Sequence, residues 1–172
     1  KEASDYTVYS HALNVHSLDD LTLKTEIRRA FDQDEFCLHY QPKVDCDNQV
    51  NEVEALVRWI HPERGLIPPD KFIPMIVQKR MNGELLRRTL KLALIQAKAW
   101  KEDGLHVRIA LNLTAFDLLE PDLPEMIADM LREYSLESDV LKLEITETTL
   151  VENQELTLVA LNALSEMGIP TS

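Results

Sequence analysis

Three stretches of this chain repeat one design. They are "VNEVEALVRWI" (50–60), "VRIALNL" (107–113) and "VLKLEIT" (140–146), and in each the apolar residues alternate with period two. Side chains on a strand point to opposite faces in turn. Val53, Ala55, Val57 and Trp59 therefore share one face, and Glu52, Glu54, Leu56 and Arg58 share the other. Val107, Ile109, Leu111 and Leu113 oppose Arg108, Ala110 and Asn112, while Leu141, Leu143 and Ile145 oppose Val140, Lys142, Glu144 and Thr146. Strands covered by helices on both faces read as near-continuous apolar runs. Here one face is apolar and suits packing under helices, while the other carries charge or amide and lies beside its counterpart on neighbouring strands.

The segments between these strands are helical in period. Residues 70–78 and 83–102 read as helices, the second stopped by Gly104, a common C-terminal glycine. A helix over 121–134 starts at Pro121, and one over 153–168 ends at Gly168, after which "IPTS" begins a further strand. Residues 61–70, with Pro62, Gly65, Pro68 and Pro69, read as a loop. From residue 50 the order is strand, helix, strand, helix, strand, helix. That alternation predicts an α/β fold with mainly parallel pairing, either an open doubly wound sheet or a β/α barrel.

The first strand breaks the rule. "FCLHYQPKV" (36–44) is joined to the strand at 50 by "DCDNQ", which is too short for a parallel crossover of a dozen or more residues. These two strands are predicted to be antiparallel. Upstream, Ser17-Leu18-Asp19-Asp20 reads as the start of a helix running to about Phe31, with Leu21, Leu23, Ile27, Ala30 and Phe31 as its buried stripe. Residues 1–20 read as a tail or linker and 21–172 as the domain.

Charge limits the function. Asp and Glu number 30 against 18 Lys and Arg, a net −12, and such a surface repels nucleic-acid polymers and anionic lipid. A small phosphate ligand stays possible, because a metal ion reverses the local field. Cys37 and Cys46 read as reduced thiols of a cytoplasmic domain, not as a disulfide framework. His61 and His106 read as loop or strand-edge residues.

Carboxylates on an interior face need partners, since unpaired buried charge costs several kcal/mol, roughly. Two answers fit the pattern. Glu54, Asn112 and Glu144 could share a divalent cation, for which oxygen-only ligands suit Mg²⁺, Mn²⁺ or Ca²⁺. Alternatively Glu54 pairs with Arg58 or Arg108, and Glu144 with Lys142, as an ion-pair lattice lining a barrel. Patterning leaves both open.

"EALVRW" followed by "HPERGLIPPDKFIP" resembles the hallmark of the EAL domain family, with "YQPKV" before it and "IALNLTA" and "LKLEITET" after it. Ordered blocks are far more specific than the tripeptide alone. The resemblance implies a TIM-like β/α barrel, of which this chain would supply about the first half, with its first strand antiparallel to the next. It implies hydrolysis of cyclic di-GMP to linear pGpG by two-metal catalysis with Mg²⁺ or Mn²⁺. By resemblance, Glu54, Asn112 and Glu144 are metal ligands, and Gln41, Leu56 and Arg58 contact substrate.

Two departures qualify the expectation. An Asp-Asp-Phe-Gly block and a later lysine, which complete the family's site, do not occur in "MGIPTS" or before it, so this stretch alone is expected to be inactive. Where the family has Leu-Ala-Glu after "FIP", this chain has "MIVQKRMNG", which leaves room for a sensor or docking module that binds cyclic di-GMP without hydrolysis. The tail faintly resembles the linker after a GGDEF domain. An open half-barrel is also expected to pair as a homodimer.

Overall fold

The computed structural model describes residues 11–120, 122–145 and 154–172. Helix α1 (His11–Asp32) is followed by β1 (Phe36–Val44), β2 (Val50–His61) and a short β3 (Gly65–Ile67). Then come α2 (Pro69–Gln78), α3 (Asn82–Glu102), β4 (Arg108–Leu113), α4 (Ala115–Leu118), α5 (Leu123–Tyr134), β5 (Leu141–Ile145) and α6 (Gln154–Glu166). The sheet order is β1-β2-β4-β5, with β3 paired outside this path to β2. β1 runs antiparallel to β2, whereas β2–β4 and β4–β5 are parallel. The chain end adds to the same sheet, where Leu143 N–H donates to Pro170 O at 2.9 Å and Ser172 N–H to Leu143 O at 3.0 Å. The antiparallel hairpin and the parallel β/α succession expected from the sequence are both present.

The strand faces are also as read. Val53, Ala55 and Trp59 of β2, Ile109, Leu111 and Leu113 of β4, and Leu141 and Leu143 of β5 are all buried. Against most of them pack Leu86, Leu90, Ala93, Leu94 and Ala97 of α3, Leu123, Ile127 and Leu131 of α5, and Leu164 of α6. The spacing of the α3 residues places them on one stripe of the helix. Gly104 ends that helix with φ +77°, and Leu105 N–H behind it reaches back to Trp100 O at 2.8 Å. Only glycine adopts that turn without strain.

A second core joins α1 to the hairpin. Leu23, Ile27, Ala30 and Phe31 of α1 pack with Phe36, Trp59, Phe72, Met75 and Ile76. Polar groups at its margin are paired. Trp59 Nε1 donates to Glu35 Oε2 at 2.8 Å, and Arg29 holds Glu35 at 3.1 Å. His61 is buried, contrary to its reading as an edge residue. Its Nδ1 accepts from the backbone N–H groups of Glu63 and Arg64 at 3.1 and 3.2 Å, and its Nε2 lies between Glu26 Oε2 at 3.0 Å and Arg29 Nη2 at 2.9 Å.

Several element boundaries differ from expectation. α1 begins at His11, earlier than the acidic start near Ser17, so residues 11–20 are helical. β3 lies within the stretch read as loop, where Gly65 at φ +70° turns the chain back so that Trp59 pairs with Ile67. Val140 belongs to a 3₁₀ turn (Ser138–Val140) and not to β5. The expected helix starts at Pro121 and residue 153, and Thr146 on the inner strand face, lie outside the described residues.

On β1, Tyr40 faces the helices and meets Trp100 edge-to-face, with ring centroids 5.0 Å apart. Burial, and secondarily the neighbouring Cys37 thiol, push the Tyr40 phenol up to about 12. A raised folded-state pKa stabilises the protein below the ordinary tyrosine value near 10, roughly, and that stability is lost as pH rises through the folded pKa. Ultraviolet titration should show one tyrosine ionising near pH 12. The Tyr40→Phe variant should lack it and should resist alkaline unfolding better.

Candidate functional site

The interior face is organised in layers by strand register. Lys43 pairs with Glu52, which pairs with Arg108. One layer up, Gln41 lies opposite Glu54, Glu54 opposite Ala110, and Ala110 opposite Lys142. Asn112 pairs with Glu144 in the layer above, nearer the C-terminal ends of the parallel strands. Arg58 sits higher again on β2, opposite Cys37. In open and closed β/α sheets that end is where ligands bind.

The structure brings the three predicted ligands together. Asn112 Nδ2 donates to Glu54 Oε1 at 2.8 Å, which bridges the layer step between β4 and β2. That bond commits the amide nitrogen and leaves Asn112 Oδ1 as the atom suited to a cation. Glu144 lies beside Asn112 in register, one strand spacing away, or about 4.8 Å. Glu54 and Glu144 are half-buried, and Asn112 is exposed at the mouth. Among the described residues no three His, Cys, Asp or Glu side chains cluster as a metal site. The oxygen set is two carboxylates and one amide, a donor chemistry that fits a hard divalent cation with further ligands or waters.

The rival lattice is present in part, with different partners. Glu54 pairs with neither Arg58 nor Arg108: Arg58 Nη1 donates to Val57 O at 2.9 Å, and Arg108 Nε to Asp139 O at 3.0 Å. Glu144 does approach Lys142, at 3.6 Å, but its tighter partner is Lys43, whose Nζ lies 2.5 Å from Oε1. Lys43 and Lys142 also reach Glu52, at 3.5 and 3.2 Å. Burial pulls the Lys43 ammonium toward a lower pKa. Its hydrogen bond to Glu144 and the charges of Glu144, Glu52 and Glu54 outweigh that and leave it raised.

The Lys43–Glu144 contact also reports curvature. β1 and β5 are separated by β2 and β4, so their backbones would stand roughly 14 Å apart in a flat sheet. Two side chains meet across that gap because the sheet curls around its charged face, as in the wall of a barrel. Alternation put Glu144 on the inner face, but the faces of β1 were not assigned and alternation carries no measure of the curl, so this pair was missed.

A cavity of about 470 Å³ opens beside the site. Leu56 and Asn112 lie on its border, with Ile73 and Val77 of α2, Leu85 of α3 and Phe116 of α4. Thr114 caps α4: its backbone N–H and Oγ1 donate to Asp117 Oδ2 at 2.8 and 2.7 Å, and Asp117 N–H donates back to Thr114 Oγ1 at 3.4 Å. This capping box was missed from the sequence, although the Thr-x-x-Asp spacing of "TAFD" carries its signal, and it fixes the turn that starts two residues after Asn112. Burial raises the Asp117 carboxyl above its ordinary range, with the Thr114 hydrogen bonds opposing. Its ionisation therefore costs the folded state, and its full stabilisation lies below the unfolded pKa, near 4, and falls as pH rises through the folded value. We expect Asp117→Ala to cost about 1 kcal/mol in denaturant unfolding and Asp117→Asn, which keeps an acceptor, to cost less.

A curled α/β sheet with an antiparallel first strand and a carboxylate-amide cluster at its ligand end defines a class, the β/α-barrel domains with a polar mouth. The family model for the EAL domain matches residues 24–172, and the chain belongs to that family. It is 33% identical over 163 residues to the cyclic di-GMP phosphodiesterase PdeR of Escherichia coli (strain K12), covering 95% of this chain and 25% of that protein. It is 35% identical over 170 residues to the bifunctional diguanylate cyclase/cyclic di-GMP phosphodiesterase MucR of Pseudomonas aeruginosa, covering 97% of this chain and 25% of MucR. The solved PaMucR phosphodiesterase in complex with c-di-GMP superposes with a TM-score of 0.83 at 34% identity, covering 87% of this chain and 62% of that one. The chain thus spans about a quarter of the length of these curated relatives. No helix among the described residues is long and apolar enough to cross a membrane.

Proposed function

We propose that this chain forms the first part of a cyclic di-GMP phosphodiesterase site that opens the cyclic dinucleotide to linear pGpG. The observation that carries this reading is the approach of Glu54, Asn112 and Glu144 from adjacent strands at the ligand end of the sheet. Family membership and a structural relative described as a c-di-GMP complex support it. Glu54, Asn112 and Glu144 would hold Mg²⁺ or Mn²⁺. When bound, such ions lower the pKa of an attacking water and stabilise negative charge on the phosphoryl oxygens.

The remaining roles fall to groups around that cluster. Among the described residues no carboxylate pairs with Arg58, so its planar fork can accept a phosphate in bidentate fashion. Gln41, opposite Glu54 on β1, contacts substrate from the other side of the ligand cluster. Leu56, on the border of the cavity, packs against the bound nucleotide.

Three oxygen ligands are too few for two ions, so residues 1–172 by themselves are expected to show little or no turnover. We place the working protein in the cytoplasm, with residues 1–20 linking to an upstream GGDEF or sensor domain and with pairing as a homodimer. The test is chromatography of cyclic di-GMP incubated with Mg²⁺ or Mn²⁺. Conversion to pGpG by the full-length protein, with little by residues 1–172, is expected. Saturable binding of cyclic di-GMP by the full-length protein with no pGpG would replace this reading with the sensor.

A further inference from the structure

The contacts of Lys43 were left unused by that function. Its ammonium bonds Glu144, one of the three oxygen donors, at 2.5 Å, while Glu52 lies 3.5 Å away on the opposite strand. Lys142 contacts the same two carboxylates, at 3.2 and 3.6 Å. Two ammonium groups and two carboxylates thus alternate around a closed ring inside the sheet. A register shift, a bulge or irregularity, falls between Lys43 and Val44, and such features re-aim side chains.

We propose that Lys43 is a built-in counter-ion of the metal site, a positioning residue that holds Glu144 in the metal-free state and yields it to a divalent cation. The inference rests on the metal-site reading above. A cation bound by Glu144 and an ammonium at hydrogen-bond distance from the same carboxylate repel each other, so both cannot keep their best geometry. Glu52 offers Lys43 a second carboxylate without leaving the interior. On metal entry the ammonium shifts from Glu144 toward Glu52, two layers deeper and on β2. The arrangement eases a problem that any such site has before loading, because Glu54 and Glu144 are carboxylates on one inner face, and without Lys43 the ammonium left beside Glu144 is that of Lys142, at the looser distance of 3.6 Å. It also sets the affinity: each entering ion competes with an internal cation.

The test measures Mn²⁺ binding by electron paramagnetic resonance, and melting in EDTA and in Mn²⁺, on the full chain. Lys43→Met should tighten Mn²⁺ roughly fivefold, the factor an ion pair of this exposure commands. It should also lower the melting temperature in EDTA and widen the gap between the EDTA and Mn²⁺ melts. Lys43→Arg, which keeps the charge, should bind Mn²⁺ no tighter than the parent chain. Glu52→Gln should weaken binding, because the ammonium loses its second partner, and should weaken it much less when Lys43 is already Met. Equal Mn²⁺ affinity in the parent and Lys43→Met chains, or additive effects of the two substitutions, would overturn the role of Lys43 and leave the metal site standing. Absence of Mn²⁺ binding in every variant would overturn both.

Discussion

Replacing Glu54 with glutamine is expected to cut cyclic di-GMP turnover by the full-length protein at least about 100-fold while leaving the fold intact. Glutamine has nearly the same shape and keeps a carbonyl oxygen for the bond from Asn112 Nδ2, now 2.8 Å long. What it loses is the negative charge that a hard cation requires. The effect should appear in kcat, with the melting temperature in EDTA close to that of the parent protein. Asn112→Ala is a harsher comparison, since it removes a proposed ligand and also the hydrogen bond held by the Glu54 carboxylate. Retained turnover in Glu54→Gln would show that Glu54 is not a ligand.

Trp59→Ala should give the largest loss of stability, about 3–5 kcal/mol in denaturant unfolding. Trp59 is fully buried and touches Phe36 and Phe72, with ring centroids 5.7 and 5.9 Å away. Its indole N–H is also a partner of Glu35. Truncation leaves a cavity in the core that seats α1 and α2 on the hairpin, and removes one donor from a nearly buried carboxylate. Trp59→Phe should fall between, because the ring volume is largely restored but the hydrogen bond is not. The residue alternates with Arg58, so the same loss loosens the strand end that aims the guanidinium. Cyclic di-GMP binding should therefore weaken even where the variant stays folded.

Much of this was legible from period-two alternation. Val53, Ala55, Ile109, Leu111, Leu141 and Leu143 announced the helix-facing side, and by parity Glu54, Asn112 and Glu144 fall on the opposite face. The short turn after Val44 required the antiparallel start. What stayed hidden depends on three-dimensional closure. β3 has too few residues to show a period, and α4 is a single capped turn. The reach of Lys43 to Glu144 across two intervening strands depends on curvature, which alternation does not encode. His61 reads as a loop residue beside Pro62, yet Glu26 of α1 and the following backbone bury it.

Anomalous diffraction from crystals of the chain grown with Mn²⁺ would decide whether the three side chains share an ion. A peak is expected within coordination distance, about 2.0–2.4 Å, of oxygens from Glu54, Asn112 and Glu144 together, with Lys43 drawn away from Glu144. A peak held by other residues, or these three side chains unchanged with no metal between them, would contradict that arrangement.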